Sequence, residues 1–361
     1  MRWWAVERTT AGGEPVDGGA GTPTGRRASG VPGRAGGFDD AVLWAALESS
    51  VRAPSIHNSQ PWRWRIRPYG VELYADPARR LPHTDPDGRD QVISCGAVLH
   101  HLLVALAAAG QGAQVLRVPD PSCPDHLATV EPAAHVDLDL DPGLAAVIDR
   151  RCTDRRPFRP WPVPPEVTGE LAEIADRQGV GLTLITDPRA RRRLFRAIGT
   201  AGATQDADPA YGAELAAWSG RPAGAEDGVP ADRAPAAEPA PGQMPMRPFT
   251  GGAAPGRPSG EPESAALLLL FSSADTPLQW LRVGEVTSAI LLTAARHGLA
   301  ASALTQPLEV AGTRDLVADR VLGARTAHPH MLFRMGWPQE GAPAPRPTPR
   351  RPVAEVVEVD R

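Results

Sequence analysis

The sequence predicts an α+β protein made of two echoing parts, and three observations carry the prediction. Residues 88–110 and 276–298 are long, mainly apolar helix patterns stopped by Gly110 and Gly298, and a short strand pattern follows each. Short apolar or alternating runs elsewhere, bounded by turn residues, read as strands. At 361 residues with 42% apolar side chains, the chain suffices for two domains or one large fused unit.

Residues 1–37 are rich in Gly, Pro, Thr and Arg without periodicity and read as a disordered extension. Order is predicted from Phe38, with Asp39 capping a helix that carries Val42, Leu43, Ala46, Leu47 and Val51, ended by Pro54. A loop, Ala53 to Trp62, leads into a hairpin over 63–74 turning at Pro68-Tyr69-Gly70. The helix over 88–109 is apolar on nearly every face, which predicts a central position. Strands are predicted at 113–118 and 134–140, then a helix from 142 that Arg150–Phe158 interrupts. A helix at 165–178, a strand at 180–185 and one Asp187-capped helix running to Trp218 follow. Residues 219–262 are Pro-, Gly- and Ala-rich, and a structureless stretch of that length reads as a lid, a binding loop or an insertion. Buried strands are predicted at 265–272 and 330–335, on either side of the second long helix, and the 341–352 tail is Pro- and Arg-rich.

Composition removes several function classes. All 38 basic residues are arginine, and 42 acidic residues give a net charge of −4. Without lysine the chain has no phosphate-loop, pyridoxal-phosphate or protein-kinase chemistry. No basic excess points to nucleic acid. Cys95, Cys123 and Cys152 lack the spacing of a disulfide framework or a zinc knuckle. No 18-residue apolar run and no signal-peptide core is evident, so a cytoplasmic protein without a membrane span is expected. There is no G-x-S-x-G, H-E-x-x-H or G-x-G-x-x-G, and the adjacent His100 and His101 read as packing or surface residues, not a metal pair.

Two segments have chemical potential. Pro54–Trp62 packs Ser55, His57, Asn58 and Gln60 between two prolines, as either a tight turn held by side chains or a binding loop. Arg151-x-Thr153-x-Arg155 can converge on one anion, because guanidinium matches phosphate oxygens in bidentate geometry; it also reads as a solvated charge run. Arg350 and Arg351 are placed to complete such a cage.

Residues 53–62, Ala-Pro-Ser-Ile-His-Asn-Ser-Gln-Pro-Trp, resemble the A-P-S-x-x-N-x-Q-P-W signature of the flavin nitroreductase superfamily, and Arg-x-Thr-x-Arg resembles its R-x-S-x-R phosphate motif. In ordinary members the arginine motif comes first and the Asn loop is contributed across a dimer interface. Here the order is reversed within one chain, which resembles the double-length actinobacterial subgroup of Acg-like NAD(P)H nitroreductases. Asp85-Pro86-Asp87-Gly88-Arg89, Glu214-Leu215-x-x-Trp218, Asp227-Gly228-Val229-Pro230, Trp280-Leu281-Arg282-x-Gly284-Glu285 and Arg334-Met335-Gly336 agree, and the likeness covers roughly residues 38–356.

The resemblance implies a nitroreductase-like α+β fold, with mixed, mainly antiparallel sheets flanked by helices. Two fused halves, 38–149 and 150–361, would form an intrachain pseudo-dimer, and a monomer is expected. It implies FMN as cofactor, NAD(P)H as reductant and a nitroaromatic or quinone-like small molecule as acceptor. Arg151, Thr153 and Arg155 would hold the phosphate and ribityl chain, with Arg350 on the phosphate. Ser55, His57 and Asn58 would contact the ring, and backbone at Ser302, Leu304 and Gln306 would run beside its reactive edge. No catalytic side chain is required, since the chemistry is the cofactor's. A flavin store beneath a closed 219–262 lid, without turnover, stays open beside the enzyme reading. A relative that binds no flavin is disfavoured by Asn58 and Arg155.

Overall fold

The structure, a computed structural model, describes residues 37–222, 224–233, 244–249, 251, 265–341, 345 and 347–360. The disordered extension expected over 1–37 lies outside them but for Gly37. The first half comprises α1 (Asp40–Ser50), β1 (Trp62–Arg67), β2 (Gly70–Ala75), α2 (Arg89–Ala108), β3 (Gly112–Arg117) and β4 (His126–Ala133). The second comprises α3 (Pro165–Arg177), β5 (Gly181–Leu184), α4 (Pro188–Asp206), α5 (Pro209–Trp218), the short β6 (Ser219–Arg221) and β7 (Val229–Pro230), β8 (Ala266–Ser272), α6 (Pro277–Arg296), β9 (Ala300–Ala303), α7 (Gln306–Glu309), α8 (Ala311–Val317) and β10 (His328–Gly336). A last strand, β11 (Val357–Val359), completes the chain.

The sheets run β11-β1-β2-β4-β3 and β5-β8-β10-β9. Setting α1, β1, β2, α2, β3 and β4 against α3, β5, β8, α6, β9 and β10 reproduces the order, and every corresponding strand pair is antiparallel. The repeat is therefore one of topology, and the fold is the two-half α+β pseudo-dimer. β11 departs from it. It leaves the second half and pairs parallel with β1, Trp64 opposite Val357, so the last strand of the chain joins the sheet of the first half.

Local chemistry explains the elements. Asp39 Oδ1 accepts from Val42 N at 3.0 Å and starts α1, which buries Leu43, Ala46 and Leu47. In β1, alternation buries Trp62 and Trp64 and turns Arg63 outward. α2 and α6 cross at two glycines, and the close approach is reciprocal. A Cβ on Gly96 would lie 2.0 Å from the Leu281 carbonyl oxygen, and one on Gly284 would lie 2.1 Å from that of Ile93. The pseudo-two-fold axis thus passes between Gly96 and Gly284. Around it α2 buries Leu99, Leu102 and Leu106 completely, each worth roughly 1.5–3 kcal/mol by area removed from water. His100 and His101 are buried packing residues whose Nδ1 atoms both lie 2.8 Å from Ser288 Oγ. Arg117 closes the interface with a two-point pair on Glu285, at 2.8 and 2.7 Å.

Several expectations are corrected. Strand β4 occupies 126–133, not 134–140. The helix expected from 142 is a 3-10 segment, Pro142–Val147. The helix drawn from 187 to 218 is two, because Pro209 cannot continue α4 and Asp208 caps α5 through Ala210 N. The described parts of 219–262 are not structureless, since β6 pairs with β7 and Met244 and Arg247 are buried. The absence of any apolar run of membrane-crossing length is also corrected. α2 has that length and a mean hydropathy of 1.7, and most of it is buried in the core.

Candidate active site

Two adjoining chambers lie where the halves meet. The larger, about 1070 Å³ counting space open at its mouth, is mostly apolar, with Ile93 and Ala97 of α2, Leu291 of α6 and Leu304 in its walls. The smaller, about 690 Å³, is polar and holds Arg52, Arg151, Arg155, Arg233 and Arg350. Pro54, Ser55, His57, Arg151, Thr153 and Arg155 line both.

The 53–62 loop forms the partition. His57, Asn58 and Gln60 have φ of 47°, 55° and 50°, a left-handed conformation that costs about 1–2 kcal/mol per non-glycine residue. Surrounding bonds enforce it. Ile56 N donates to Ser94 Oγ (3.1 Å), Gln60 N to Ser55 Oγ (3.0 Å), Gln60 Nε2 to the Glu226 carbonyl (2.8 Å), and Arg351 N to Gln60 Oε1 (2.9 Å). The arginine motif is pinned separately: Thr153 bridges Ala301 of β9, and Asp154 N donates to the Ala301 carbonyl at 2.9 Å.

In the polar chamber Arg52 pairs with Asp149 at 3.3 Å and Arg233 with Asp232 at 3.7 Å, but three arginines have no such partner. Among the described residues no carboxylate lies within ion-pair distance of Arg151, Arg155 or Arg350, whereas most other arginines have one. Burial depresses the Arg151 guanidinium; burial with Arg247 beside it takes Arg155 to about 10; and burial with Arg151 and Arg52 nearby takes Arg350 to about 9. Arg350 donates to the carbonyls of Thr348, Pro349, Arg52 and Ala53, yet its Nε, like that of Arg151, is buried without a partner. Desolvated cations with unused donors make an anion site.

The insertion supplies the cover of the larger chamber. Arg247 Nη1 donates to His57 Nε2 at 2.7 Å, and its Nη2 pairs with Glu309 of α7. Phe249 packs edge-on against His57, with centroids 5.6 Å apart, and carries the Arg155 guanidinium 4.9 Å from its centroid. Burial first, then Arg247 and Arg155, hold His57 well below 6.5, so it is neutral and accepts at Nε2. Its Nδ1 therefore carries the hydrogen, buried and unpaired.

The predicted residues are mostly brought together. Ser55, His57, Arg151, Thr153 and Arg155 line both chambers, Leu304 and Gln306 the larger, and Asn58 and Arg350 the polar one. Asn58 lines the polar chamber: its amide donates to the Gly228 and Pro349 carbonyls, at 3.1 and 3.3 Å, and its Oδ1 is buried without a partner. At Ser302 strand alternation sends the neighbouring Ala301 and Ala303 to the cavity and buries the Ser302 side chain away from it. The Leu304 N–H is already spent on the Leu332 carbonyl at 2.8 Å, and Arg351 turns to Glu355 instead of joining the cage. Sequence reasoning missed Arg52, Asp90, Arg233, Arg247 and Phe249. Only Arg52, beside the loop motif, carried a positional signal. Ser272, His330 and Asp275 approach a hydrolytic triad in composition. However, the Ser272 hydroxyl is buried and donates to the Ala274 carbonyl, and Asp275 lies 4.0 Å from His330 Nδ1.

No family model matches the chain. It is 43% identical over 327 residues to the "Putative NAD(P)H nitroreductase Rv3131" of Mycobacterium tuberculosis, covering 89% of this chain and 92% of that protein. It is 37% identical over 321 residues to the "Putative NAD(P)H nitroreductase acg" of the same organism, covering 88% and 96%. Among solved structures, the FMN-dependent nitroreductase NfnB from Mycobacterium smegmatis in complex with NADPH matches 61% of this chain and 99% of its own, with 18% identity and a TM-score of 0.36. Identity of this level along nearly the whole length, together with the paired motifs at the junction of the halves, places the chain in the Acg-like NAD(P)H nitroreductase family.

Proposed function

We propose that the chain binds FMN between its halves and works as an NAD(P)H-dependent oxidoreductase on nitroaromatic or quinone-like acceptors. The observation that carries this reading is the polar chamber, opening into an apolar one, in which Arg151, Arg155 and Arg350 have no carboxylate within ion-pair distance among the described residues. Its orphaned donors, Arg151 Nε and Arg350 Nε, suit a phosphate, so the residues fit the group. Arg151, Arg155 and Arg350 would hold the phosphate, with Thr153 beside them, and Ser55 and His57 would meet the flavin where the chambers join. When bound, FMN supplies the two-electron chemistry, taking hydride from NAD(P)H and passing electrons to the acceptor. The chain's own work is to bind, orient and exclude water. Ile93, Ala97 and Leu291 make a dry wall, Phe249 and Arg247 cover the mouth, and neutral His57 offers its Nδ1–H. We further infer a cytoplasmic monomer, because the chain supplies its own second half.

A second reading, an FMN store with little turnover, is favoured by one observation: Arg247 ties the cover to both the 53–62 loop and α7. Adding FMN to the purified chain, desalting it and recording the visible spectrum tests binding. Bleaching of retained flavin by NADPH without oxygen separates enzyme from store. A chain that retains no flavin refutes both.

A further inference from the structure

Asp90, in the first turn of α2, lies in the wall of the larger chamber and is 2% exposed. Its main chain is engaged: the N–H donates to Asp85 Oδ1 at 3.1 Å, and the carbonyl accepts from Ser94 Oγ at 2.7 Å. Its Oδ1 accepts from Arg89 Nε at 3.1 Å. Its Oδ2 is buried with no partner.

The charges that weigh most on Asp90 do not balance, and Arg151 and Arg155, which line the same chamber, are not among them. Asp85, Asp90 and Glu309 are buried carboxyls, facing two buried guanidiniums, Arg89 and Arg247, with His57 neutral. A buried excess negative charge is expensive, and a carboxyl that keeps its proton avoids it. Glu309 accepts from Arg247, Thr305 Oγ1 and Gln205 Nε2, so both its oxygens are engaged. Burial, and then the Asp90 charge, push Asp85 up to about 7, but both its oxygens accept backbone N–H groups, from Asp90 at 3.1 Å and Gln91 at 2.8 Å, which pull it back toward the anion. Asp90 has one accepted bond and one bare oxygen. Burial pushes its carboxyl up; Arg89 pulls it back and Glu309 pushes it further.

We propose that Asp90 stands in the chamber wall as a neutral carboxylic acid whose Oδ2–H donates a hydrogen bond to a carbonyl oxygen or imine nitrogen at the edge of a planar ring ligand. The assignment rests on the flavin reading and deepens it. Ile93 and Ala97 on the same helix are apolar, so this donor distinguishes a ring with an acceptor at that edge from a plain aromatic.

Infrared difference spectra of the flavin-free full chain, wild type against Asp90→Asn at pH 7, read the proton directly. The wild type shows the C=O stretch of a buried carboxylic acid, which Asp85→Asn keeps and Asp90→Asn lacks. Lumiflavin, which has the ring without the phosphate, then reads the donor. Its Kd rises about tenfold in Asp90→Ala, the loss of one hydrogen bond, and recovers in Asp90→Asn, whose amide still donates. No acid band lost on Asp90→Asn overturns the proposal. So do unchanged lumiflavin and FMN affinities in Asp90→Ala. A wild type that binds neither flavin overturns the flavin reading and the donor role with it, while the band still reports whether the acid is neutral.

Discussion

Arg155→Met removes a charge and little volume from the point where the chambers meet. The guanidinium makes one native hydrogen bond, to the Arg233 carbonyl at 3.3 Å, and lies over Phe249. Burial, with Arg247 adding repulsion, lowers it from 12.5 to about 10. A fall of that size corresponds to roughly 3 kcal/mol against the folded state. The sign follows from the charged form being the penalised one. The cost is fully present below about pH 10 and is released as the pH rises from there through 12.5. At pH 7 the substitution removes it and forfeits about 1 kcal/mol for the hydrogen bond and about 1 for the cation–π contact. The flavin-free variant is therefore more stable than wild type by about 1 kcal/mol. With FMN the outcome reverses. Loss of a charge-assisted bond worth about 1.5–3 kcal/mol raises Kd by about 10- to 100-fold. Riboflavin, which lacks the phosphate, is affected far less. Denaturant unfolding of both flavin-free chains, with titrations of FMN and riboflavin, checks all three. A variant less stable by more than about 1 kcal/mol that binds FMN as wild type does would show a structural strut, and the anion-site argument would fall.

Three further outcomes follow from the same geometry. Gly284→Ala places a Cβ 2.1 Å from the Ile93 carbonyl oxygen and lowers stability by about 2 kcal/mol or more, whereas Gly169→Ala in α3, with nothing within 4 Å, raises it by up to about 1; thermal unfolding of both compares crowding with helix propensity. Arg247→Ala strands buried Glu309 without its cation, a loss of about 3–5 kcal/mol to the closed arrangement, so anaerobic stopped-flow should show flavin reduction by NADPH speeding up; an unchanged rate means the latch does not gate access. Stability falls as the pH drops below 6.5, because burial depresses four histidines: His57 and His101 well below 6.5, His100 to about 4 and His330 to about 3. These stay neutral in the folded chain while the unfolded chain takes up protons near 6.5, so each contributes roughly 1.4 kcal/mol per pH unit down to its own folded value. A midpoint that is flat from pH 7 to 5 contradicts their burial as neutral groups.

What was legible in the sequence was what local pattern encodes. α2 and α6 declared themselves by length, apolarity and a terminal glycine, and the topology they share confirms the repeat. The motifs located both walls of the site because their residues act near one another in sequence. Strand β4 was misplaced because it contains Glu131 and Pro132. The structure tolerates them where pairing with β2 has ended at Val130 and only β3 continues alongside. At Ser302 strand phase, which no motif encodes, buries the side chain while Ala301 and Ala303 see the cavity. Asp90 looked like an ordinary first-turn acid at a helix N-terminus. Nothing local reveals that Glu309, more than two hundred positions away, shares its surroundings. Arg247 was hidden differently, inside a Pro-, Gly- and Ala-rich stretch that reads as a lid, a binding loop or an insertion without marking any one residue.

The glycine crossing has a consequence for how such a molecule can change. In a dimer of identical chains, one codon writes both sides of the axis, so a useful asymmetry is unavailable. Here Gly96 and Gly284 are separate codons held to the same steric demand. Positions equally far from them are free to diverge. Six residues before Gly96 is the buried Asp90; six before Gly284 is the partly exposed Leu278. Four residues after each stand His100 and Ser288, now bonded to one another. Fusion of two halves lets residues on one side specialise while their counterparts drift, with the two glycines keeping the halves in register.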